Sequence, residues 1–258
     1  MPTQQKSSIL ITGASNGIGA ALALAYASPQ TTLGLIGRNA KRLEEIADKC
    51  RQKGAIVHTG VLDLTNTAAL TSWMQSFDSE SPVTLLIANA GVTNQISENG
   101  EAESIQDICH LLDTNLYGVI HSIDAILPAM KARGSGQIAI TSSLAAYRGM
   151  PVTPSYCASK AAVKSYGEAL RGWLAPKGIK VNIICPGFVS SNMSNTFNAP
   201  KPFMISAERA AIIIKAGLKK NKAIISFPFP LSWGMRAISM LPFSVSLFFL
   251  NLSGYNKQ

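Results

Sequence analysis

Cysteine is scarce. Four residues in 258 (Cys50, Cys109, Cys157 and Cys185) lie far apart with no C-x-x-C pair. That spacing argues against a disulfide framework and for free thiols in a reducing compartment. Histidine is scarcer: His58, His110 and His121 show no metal-ligand spacing, so no metal site is assigned. Charged residues make up only 14% of the chain against 47% hydrophobic. This excludes a disordered chain and implies a large core. No linker, repeat or low-complexity tract divides the sequence, and its length lets one domain bury its apolar surface unaided.

Acidic residues are absent between Gly13 and Arg38, and from Lys201 to the end eight basic residues stand against one acid, Glu208. Most of the +9 net charge therefore sits in the last fifth of the chain. A basic surface attracts nucleic acid, anionic lipid or acidic ligands, but no nucleic-acid-binding motif accompanies it, and nucleic-acid binding is not expected. Near the N terminus Lys6 precedes an apolar stretch, Ile9 to Ala27, that imitates a signal peptide. Three glycines and an asparagine interrupt it. A mature cytosolic start is expected.

What is present alternates short β-branched runs with longer amphipathic segments. Strands are expected at Ser8–Thr12, Thr32–Ile36, Ala55–Leu62, Thr84–Ala88, Gln137–Thr141, Lys180–Cys185 and Ala223–Ser226. Helices are expected near Ile18–Ala27, Ala40–Lys53, Thr67–Phe77, Ser104–Arg133, Ser155–Leu174 and Ser206–Lys219. The strands read as continuous apolar runs, as they do when helices cover both faces. The alternation predicts an α/β, doubly wound parallel sheet in one domain, residues 1–230. Phe188 to Ile205 reads as a long loop with Pro200 and Pro202, and residues 231–258 as an apolar extension.

The first strand runs into Thr12-Gly13-Ala14-Ser15-Asn16-Gly17-Ile18-Gly19 and then a helix. A dinucleotide pyrophosphate needs such a turn, bare of side chains, ahead of helical N–H groups whose dipole favours anions. Gly13 and Gly17 allow the turn and close approach, and Gly19 lets the helix pack on the strand. Ser15, Asn16 and Ile18 complete the turn. An ordinary strand–helix turn is the competing reading of these residues alone. After the second strand come Gly37-Arg38-Asn39. An acid near this point binds ribose hydroxyls, whereas an arginine accommodates a 2′-phosphate. Arg38 therefore favours NADP(H) over NAD(H).

Tyr156-Cys157-Ala158-Ser159-Lys160 puts a phenol and an ammonium one helical turn apart. A free tyrosine has a pKa of about 10, too high for proton exchange near neutrality, and a neighbouring positive charge lowers it. On its own a Y-x-x-x-K pair is commonly a surface contact. It keeps company here with the glycine turn, Asp63-Leu64, Asn89-Ala90-Gly91, Asn115, Ser142-Ser143 and Pro186-Gly187, in that order. In these pieces the chain, up to about Phe227, resembles the short-chain dehydrogenase/reductase family.

That resemblance implies a seven-stranded Rossmann-type sheet, a Ser-Tyr-Lys-Asn tetrad and hydride transfer between NADP(H) and a ketone or secondary alcohol. Tyr156 would be the general acid/base and Ser143, rather than neighbouring Ser142, the partner of the substrate oxygen. Lys160 would bind the nicotinamide ribose and depress the tyrosine pKa. Asn115 would kink its helix and hold a water in a proton relay. Asp63, with Leu64 beside it, would contact the adenine. Asn39, the segment Asn89–Gly91, and Pro186, Gly187 and Val189 would line the cofactor. Ser191 stands where the family often has threonine, so a carboxamide contact is expected there, and the family's glycine-rich V-D-G-G ending is absent. A homo-oligomer is expected.

No charge occurs from Ala237 to Asn256. Near twenty residues is almost enough to span a bilayer, yet Pro242, Ser244, Ser246, Asn251 and Gly254 oppose a transmembrane helix. Two readings remain: a tail packed over the substrate pocket or a subunit interface, and a peripheral contact with the cytoplasmic membrane face beside the basic surface. The tail resembles membrane-associated lipid-ketone branches of the family. Two other functions compete with an apolar-ketone reductase. A sugar epimerase shares Y-x-x-x-K but needs a larger C-terminal domain, and a non-catalytic NADPH sensor has no use for Tyr156 and Ser143.

Overall fold

The β-branched runs form seven strands: β1 Ser7–Thr12, β2 Thr31–Gly37, β3 Ile56–Val61, β4 Leu85–Ala88, β5 Gly136–Thr141, β6 Ile179–Pro186 and β7 Ile224–Phe227. Each lies within one residue of its expected bounds. The computed structural model describes residues 7–96, 101–195 and 201–252. All pairings are parallel, in the order β3-β2-β1-β4-β5-β6-β7. The order reverses between β1 and β4. Crossovers leave the sheet in opposite directions there and open a crevice at the strands' C-terminal ends.

The helices are α1 Gly17–Tyr26, α2 Ala40–Gln52, α3 Thr67–Glu80, α4 Ile105–Leu112, α5 Gly118–Arg133, α6 Pro154–Leu174, α7 Asn192–Asn195, α8 Ala207–Lys219, α9 Phe229–Met240 and α10 Phe243–Leu252. Side-chain caps mark several starts: Asn39, Asn66, Ser104 and Ser206 each accept a hydrogen bond from the backbone N–H three residues on. The expected helix Ser104–Arg133 is interrupted. Asp113–Tyr117 forms a π turn between α4 and α5, and the side chain of Asn115 provides the reason, as shown below.

Strand alternation feeds two cores. Ile9, Ile11, Leu33 and Leu35 point to the layer of α1, α2 and α8, where Leu22, Leu43 and Ile214 are fully buried. Leu10, Ile138 and Ile140 point to the other face, against Leu70 and Met74 of α3, Ile123 of α5 and Val163 of α6. In α3 the rings of Trp73 and Phe77 stack at 5.7 Å. They fit because β2 and β3 carry Gly34 and Gly60 beneath them, where a Cβ would approach the rings to 3.0 and 2.9 Å.

The Phe188–Ile205 region, expected as plain loop, contains the short helix α7 and a bridge from Val189 to Ile205; Pro200 lies outside the described residues. The apolar extension folds as two helices broken at Leu241-Pro242. Gly254 and Lys257 lie outside the described residues. Among the described residues no helix is long and apolar enough to cross a membrane. The extension returns to the domain: Leu231 and Met235 pack with Leu144, Ile183 and Cys185 in a third apolar cluster.

The basic surplus does not form one patch beside this tail. Lys219, Lys220 and Lys222 precede β7 and lie at the sheet's N-terminal edge, whereas α9 follows β7 at the other edge.

At that N-terminal edge one ion pair binds three elements. Arg133, ending α5, donates to both oxygens of Asp78 in α3 at 2.8 and 2.9 Å, and Asp78 also accepts from Val83 N–H at 2.8 Å ahead of β4. Asp78→Ala leaves the Val83 N–H unpaired and the Arg133 guanidinium with the Val83 carbonyl, at 3.2 Å, as its remaining acceptor. Urea denaturation is expected to show a loss of about 2–4 kcal/mol, somewhat under the range for a wholly buried pair because Arg133 keeps 30% of its side-chain exposure. An unchanged midpoint would refute this account of the edge.

Candidate active site

The crevice between β1 and β4 continues into a cleft of about 650 Å³. Every site residue named from the sequence lines it except Gly19 and Asn115, which stand behind its wall.

The cofactor half is built by close backbone approach. Gly13 has a φ of +69°, and a Cβ there would come within 2.8 Å of Ala90 Cα. A Cβ on Gly19 would lie 2.2 Å from Gly13 O, a clash with backbone that no rotamer relieves. The turn is held from outside. Thr12 Oγ1 accepts from Asn89 and Ala90 N–H at 3.0 and 3.1 Å, Asn89 Nδ2 donates to Thr12 O at 3.2 Å, and Thr141 Oγ1 donates to Asn89 Oδ1 at 3.3 Å. Asn89 thus joins β1, β4 and β5 at their C-terminal ends.

Unlike α2, α3, α4 and α8, helix α1 has no side-chain cap; Asn16 at its N-cap makes no such bond. Its first N–H groups open on the cleft, lined here by Ser15, Asn16, Gly17 and Ile18. Thr114 also lines the cleft, and its Oγ1 is buried with no partner among the described residues. A bare glycine turn, an uncapped helix start and an unpaired hydroxyl fit a phosphate- and hydroxyl-rich cofactor.

At the mouth Arg38 Nη1 lies 3.6 Å from Asp63 Oδ2, both side chains about half exposed. Burial raises the Asp63 pKa, but hydrogen bonds from Thr65 N–H and Oγ1, with Arg38 nearby, outweigh it and hold the carboxyl below its ordinary value. Arg42 joins Arg38 on the cleft wall. Sequence reading missed it. Its signal was available, one helical turn after Arg38, since the Asn39 cap to Arg42 N–H fixes that turn. Asn39 itself lines the cleft and caps α2, and Leu64 lines the wall beside Asp63.

The reacting half comes from β5 and α6. Tyr156 and Ser143 line the cleft together, and Ser143 Oγ accepts from Ala145 N–H at 3.1 Å. Ser142 Oγ instead donates to the carbonyl of Lys160 at 2.7 Å, inside the protein. Lys160 is 3% exposed, and its Nζ donates to Thr141 O at 3.1 Å and sits 5.7 Å from the Tyr156 ring centroid. Burial dominates and pushes the phenol up to about 12, outweighing the depression expected from Lys160 and the opposing effect of Ser143. Burial also lowers the ammonium to about 8. Lys160 is buried and Tyr156 half-buried, and desolvation disfavours both charges.

Asn115 is fully buried in the π turn. Its Oδ1 accepts from Val92 N–H at 2.7 Å, and its Nδ2 donates to Val92 O at 2.9 Å and Ser159 Oγ at 3.1 Å. The side chain therefore clamps the β4 exit to α6, and widening the helix here lets it reach both. Gly91 leaves the space, since a Cβ there would lie 3.0 Å from Asn115 Oδ1 and 3.2 Å from Lys160 Nζ. Glu103, also missed, supplies the cap that α6 lacks. It accepts from Ser155 N–H at 3.1 Å and Ser155 Oγ at 2.5 Å, one residue before Tyr156.

Across the cleft Pro186, Gly187 and Val189 follow β6, and Ser191 approaches the glycine turn: a Cβ on Gly17 would sit 3.0 Å from Ser191 Cβ. Beyond the tyrosine the wall is apolar. Leu144 and Met150 face Leu231, Met235 and Ile238 of α9 and Leu250 of α10. The extension supplies this wall, which no sequence motif marks.

A family model for short chain dehydrogenase matches residues 7–202. An oxidoreductase of Myxococcus xanthus is 33% identical over 90% of this chain and 92% of its own. The ketoacyl reductase HetN of Nostoc sp. is 31% identical over 87% of this chain and 80% of its own, and mouse 17-beta-hydroxysteroid dehydrogenase 13 is 30% identical over 88% and 77%. The fold matches a Burkholderia phymatum short-chain dehydrogenase/reductase in complex with NAD, at TM-score 0.82 and 23% identity over 92% of this chain and 94% of that one. It also matches a Sphingobium yanoikuyae short-chain dehydrogenase in complex with NADPH, at 0.77 and 24% over 85% and 87%. With the strand order and cleft described above, these likenesses establish that the chain belongs to the short-chain dehydrogenase/reductase family of oxidoreductases.

Proposed function

We propose that this protein is an NADPH-dependent reductase of an apolar ketone, interconverting it with the secondary alcohol. The observation behind this reading is one continuous cleft that holds a glycine turn and Arg38 at one end, Ser143 and Tyr156 in the middle and apolar residues of the C-terminal helices (Leu231, Met235, Ile238 and Leu250) at the other. When bound, the nicotinamide supplies the hydride. Ser143 Oγ orients the ketone oxygen by donating to it, and the Tyr156 hydroxyl protonates it as the alcohol forms. A phenol held up to about 12 stays protonated through the neutral range and is ready as an acid. The buried Lys160 ammonium stabilises the phenolate left behind. A non-catalytic sensor has no need of this hydroxyl pair.

Cofactor choice rests on Arg38 and Arg42, two guanidinium groups suited to a 2′-phosphate. NADPH is expected to bind more tightly than NADH. Arg38→Ala is expected to narrow that preference by about tenfold or more, the scale of one charged hydrogen bond. Equal dissociation constants for the two cofactors, measured by fluorescence titration of the unmutated protein, would overturn the assignment.

Chemistry makes two further expectations. Tyr156→Phe is expected to lower ketone turnover by at least ~10²-fold while leaving NADPH binding intact. Near-normal turnover would remove Tyr156 from its role. Lys160, whose pKa is lowered to about 8 by burial, is charged below that pH and neutral above it. The reduction rate is therefore expected to hold from pH 6 to 7.5 and decline as pH rises through about 8. A kcat/KM profile flat to pH 10 would contradict this.

The outer face of the C-terminal helices extends the proposal to location. Phe229, Trp233, Met240, Phe243 and Phe248 are each more than 60% exposed, and no acid follows Glu208. This face suits peripheral, one-leaflet contact with a bilayer. With Lys219–Lys222 on the opposite edge the contact is mainly apolar, so binding to anionic vesicles is expected to change little with salt. A full-length protein that self-associates through this face and stays in the supernatant would refute it.

A further inference from the structure

The short helix α4 is tied to α6 by a side chain at each of its ends. Asn115 stands in the π turn that follows α4, and its Nδ2 donates to Ser159 Oγ at 3.1 Å. Ser159 Oγ donates in turn to the carbonyl of Tyr156 at 2.8 Å. Glu103 stands just ahead of α4. Its carboxylate accepts from Ser155 N–H at 3.1 Å and from Ser155 Oγ at 2.5 Å. Tyr156 lies between the two serines and is gripped from both sides.

The Glu103 contact falls where the helix is weakest. Tyr156 belongs to the first turn of α6, where N–H groups have no intrahelical partner and helices fray. Thr153, at the N-cap, makes no side-chain cap bond, and its hydroxyl lies 3.6 Å from Cys157 Sγ instead. Pro154 brings no N–H, so Ser155 holds the first donor of the helix, and Glu103 takes it. Ser155 is 7% exposed, and an unmet N–H there would be costly. Lys160, one turn further on, has its own anchor in Thr141 O. Glu103 is itself held in place. Ser104, the next residue, caps α4 by accepting from Asp107 N–H at 3.1 Å, and Asn94 Nδ2 donates to Asp107 O at 2.9 Å. A carboxylate also suits the positive end of the α6 dipole.

We infer that Glu103 is a positioning residue for proton transfer: it fixes the first turn of α6 and so holds the Tyr156 hydroxyl at the ketone oxygen. The inference rests on the ketone-reductase reading above and adds to it a residue outside the Ser-Tyr-Lys-Asn set. Glu103 lies outside the cleft lining and acts through Ser155, one residue from the proton donor. Its role is geometric. What the reaction requires of it is an acceptor for Ser155, and the charge is secondary.

The test compares Glu103→Ala with Glu103→Gln in the full-length protein, using NADPH and whichever of acetophenone, cyclohexanone and benzophenone is reduced fastest. Glutamine keeps an oxygen for the Ser155 N–H and loses the charge. Glu103→Ala is expected to lower kcat by about tenfold or more, the scale of a small misplacement of a reacting group. The NADPH dissociation constant should stay within about twofold, because the glycine turn and Arg38 lie at the other end of the cleft. Glu103→Gln should recover kcat to within about threefold. The melting temperature of the alanine variant should fall by only about 2–4 °C, the scale of one lost cap, which leaves it folded in the assay. In a Tyr156→Phe background Glu103→Ala should cost less than about twofold, since the hydroxyl it positions is gone. Hydrogen exchange reads the same contact without turnover: the amides of Ser155, Tyr156 and Cys157 should exchange about tenfold faster in the alanine variant and not in the glutamine one. If none of the ketones is reduced, or Tyr156→Phe is near normal, the reductase reading fails and this role falls with it. With that reading intact, three results each overturn the inference: normal kcat in Glu103→Ala, equal losses in the alanine and glutamine variants, or a full loss persisting in the Tyr156→Phe background.

Discussion

The site depends on a void that the backbone is forced to leave at the C-terminal ends of β1 and β4. A doubly wound parallel sheet must reverse its crossover direction somewhere, and at that point neither neighbouring helix covers the strand ends. The chain keeps the void narrow without filling it. Gly13 lies against Ala90, Gly19 against the Gly13 carbonyl, and Gly91 against Asn115 and Lys160. Each contact is too close for a side chain. Thr12, Asn89 and Thr141 then lace three strand ends together, so the turn stays rigid although almost no side chain supports it from within.

From that rigid edge the reacting groups inherit their positions and their electrostatics. Lys160 reaches under the site to Thr141 O, and Asn115 reaches from a widened helical turn to Val92 and Ser159. Burial that fixes these side chains also sets their proton affinities. It raises the phenol and lowers the ammonium, each toward its neutral form. The simple picture of a lysine pulling down a neighbouring tyrosine assumes both remain solvated, and here they do not. A bound oxidised nicotinamide, which carries positive charge, would shift the phenol downward again. Proton transfer at Tyr156 is in this way coupled to what occupies the cleft.

The C-terminal extension illustrates how a linear coincidence dissolves in space. Along the chain, basic residues and an apolar tail adjoin. In the fold, β7 carries the chain across the sheet between them, leaving Lys219, Lys220 and Lys222 at one edge and α9 and α10 at the other. The helices divide their surfaces, with Leu231, Met235 and Leu250 turned to the cleft and Phe229, Trp233 and Phe248 turned outward. The two readings of the tail, pocket cover and surface contact, concern opposite faces of the same helices.

By itself the sequence determined the strands, the helices and the order of motifs. These are local properties: β-branched apolar runs, caps such as Asn39 and Ser104, and glycines where the backbone must turn. Short-range spacing also made the pairing of Tyr156 with Lys160 legible, because one helical turn sets it. Tertiary structure alone decided everything that depends on distant segments meeting. It turned the Ser142 hydroxyl onto the carbonyl of Lys160, and it brought Glu103 to cap α6 from 52 residues upstream. It reversed the direction of the tyrosine pKa, since burial is a property of packing and not of spacing. It also turned an apolar tail into the wall of a cleft, because what a hydrophobic helix covers depends on what the rest of the fold leaves exposed.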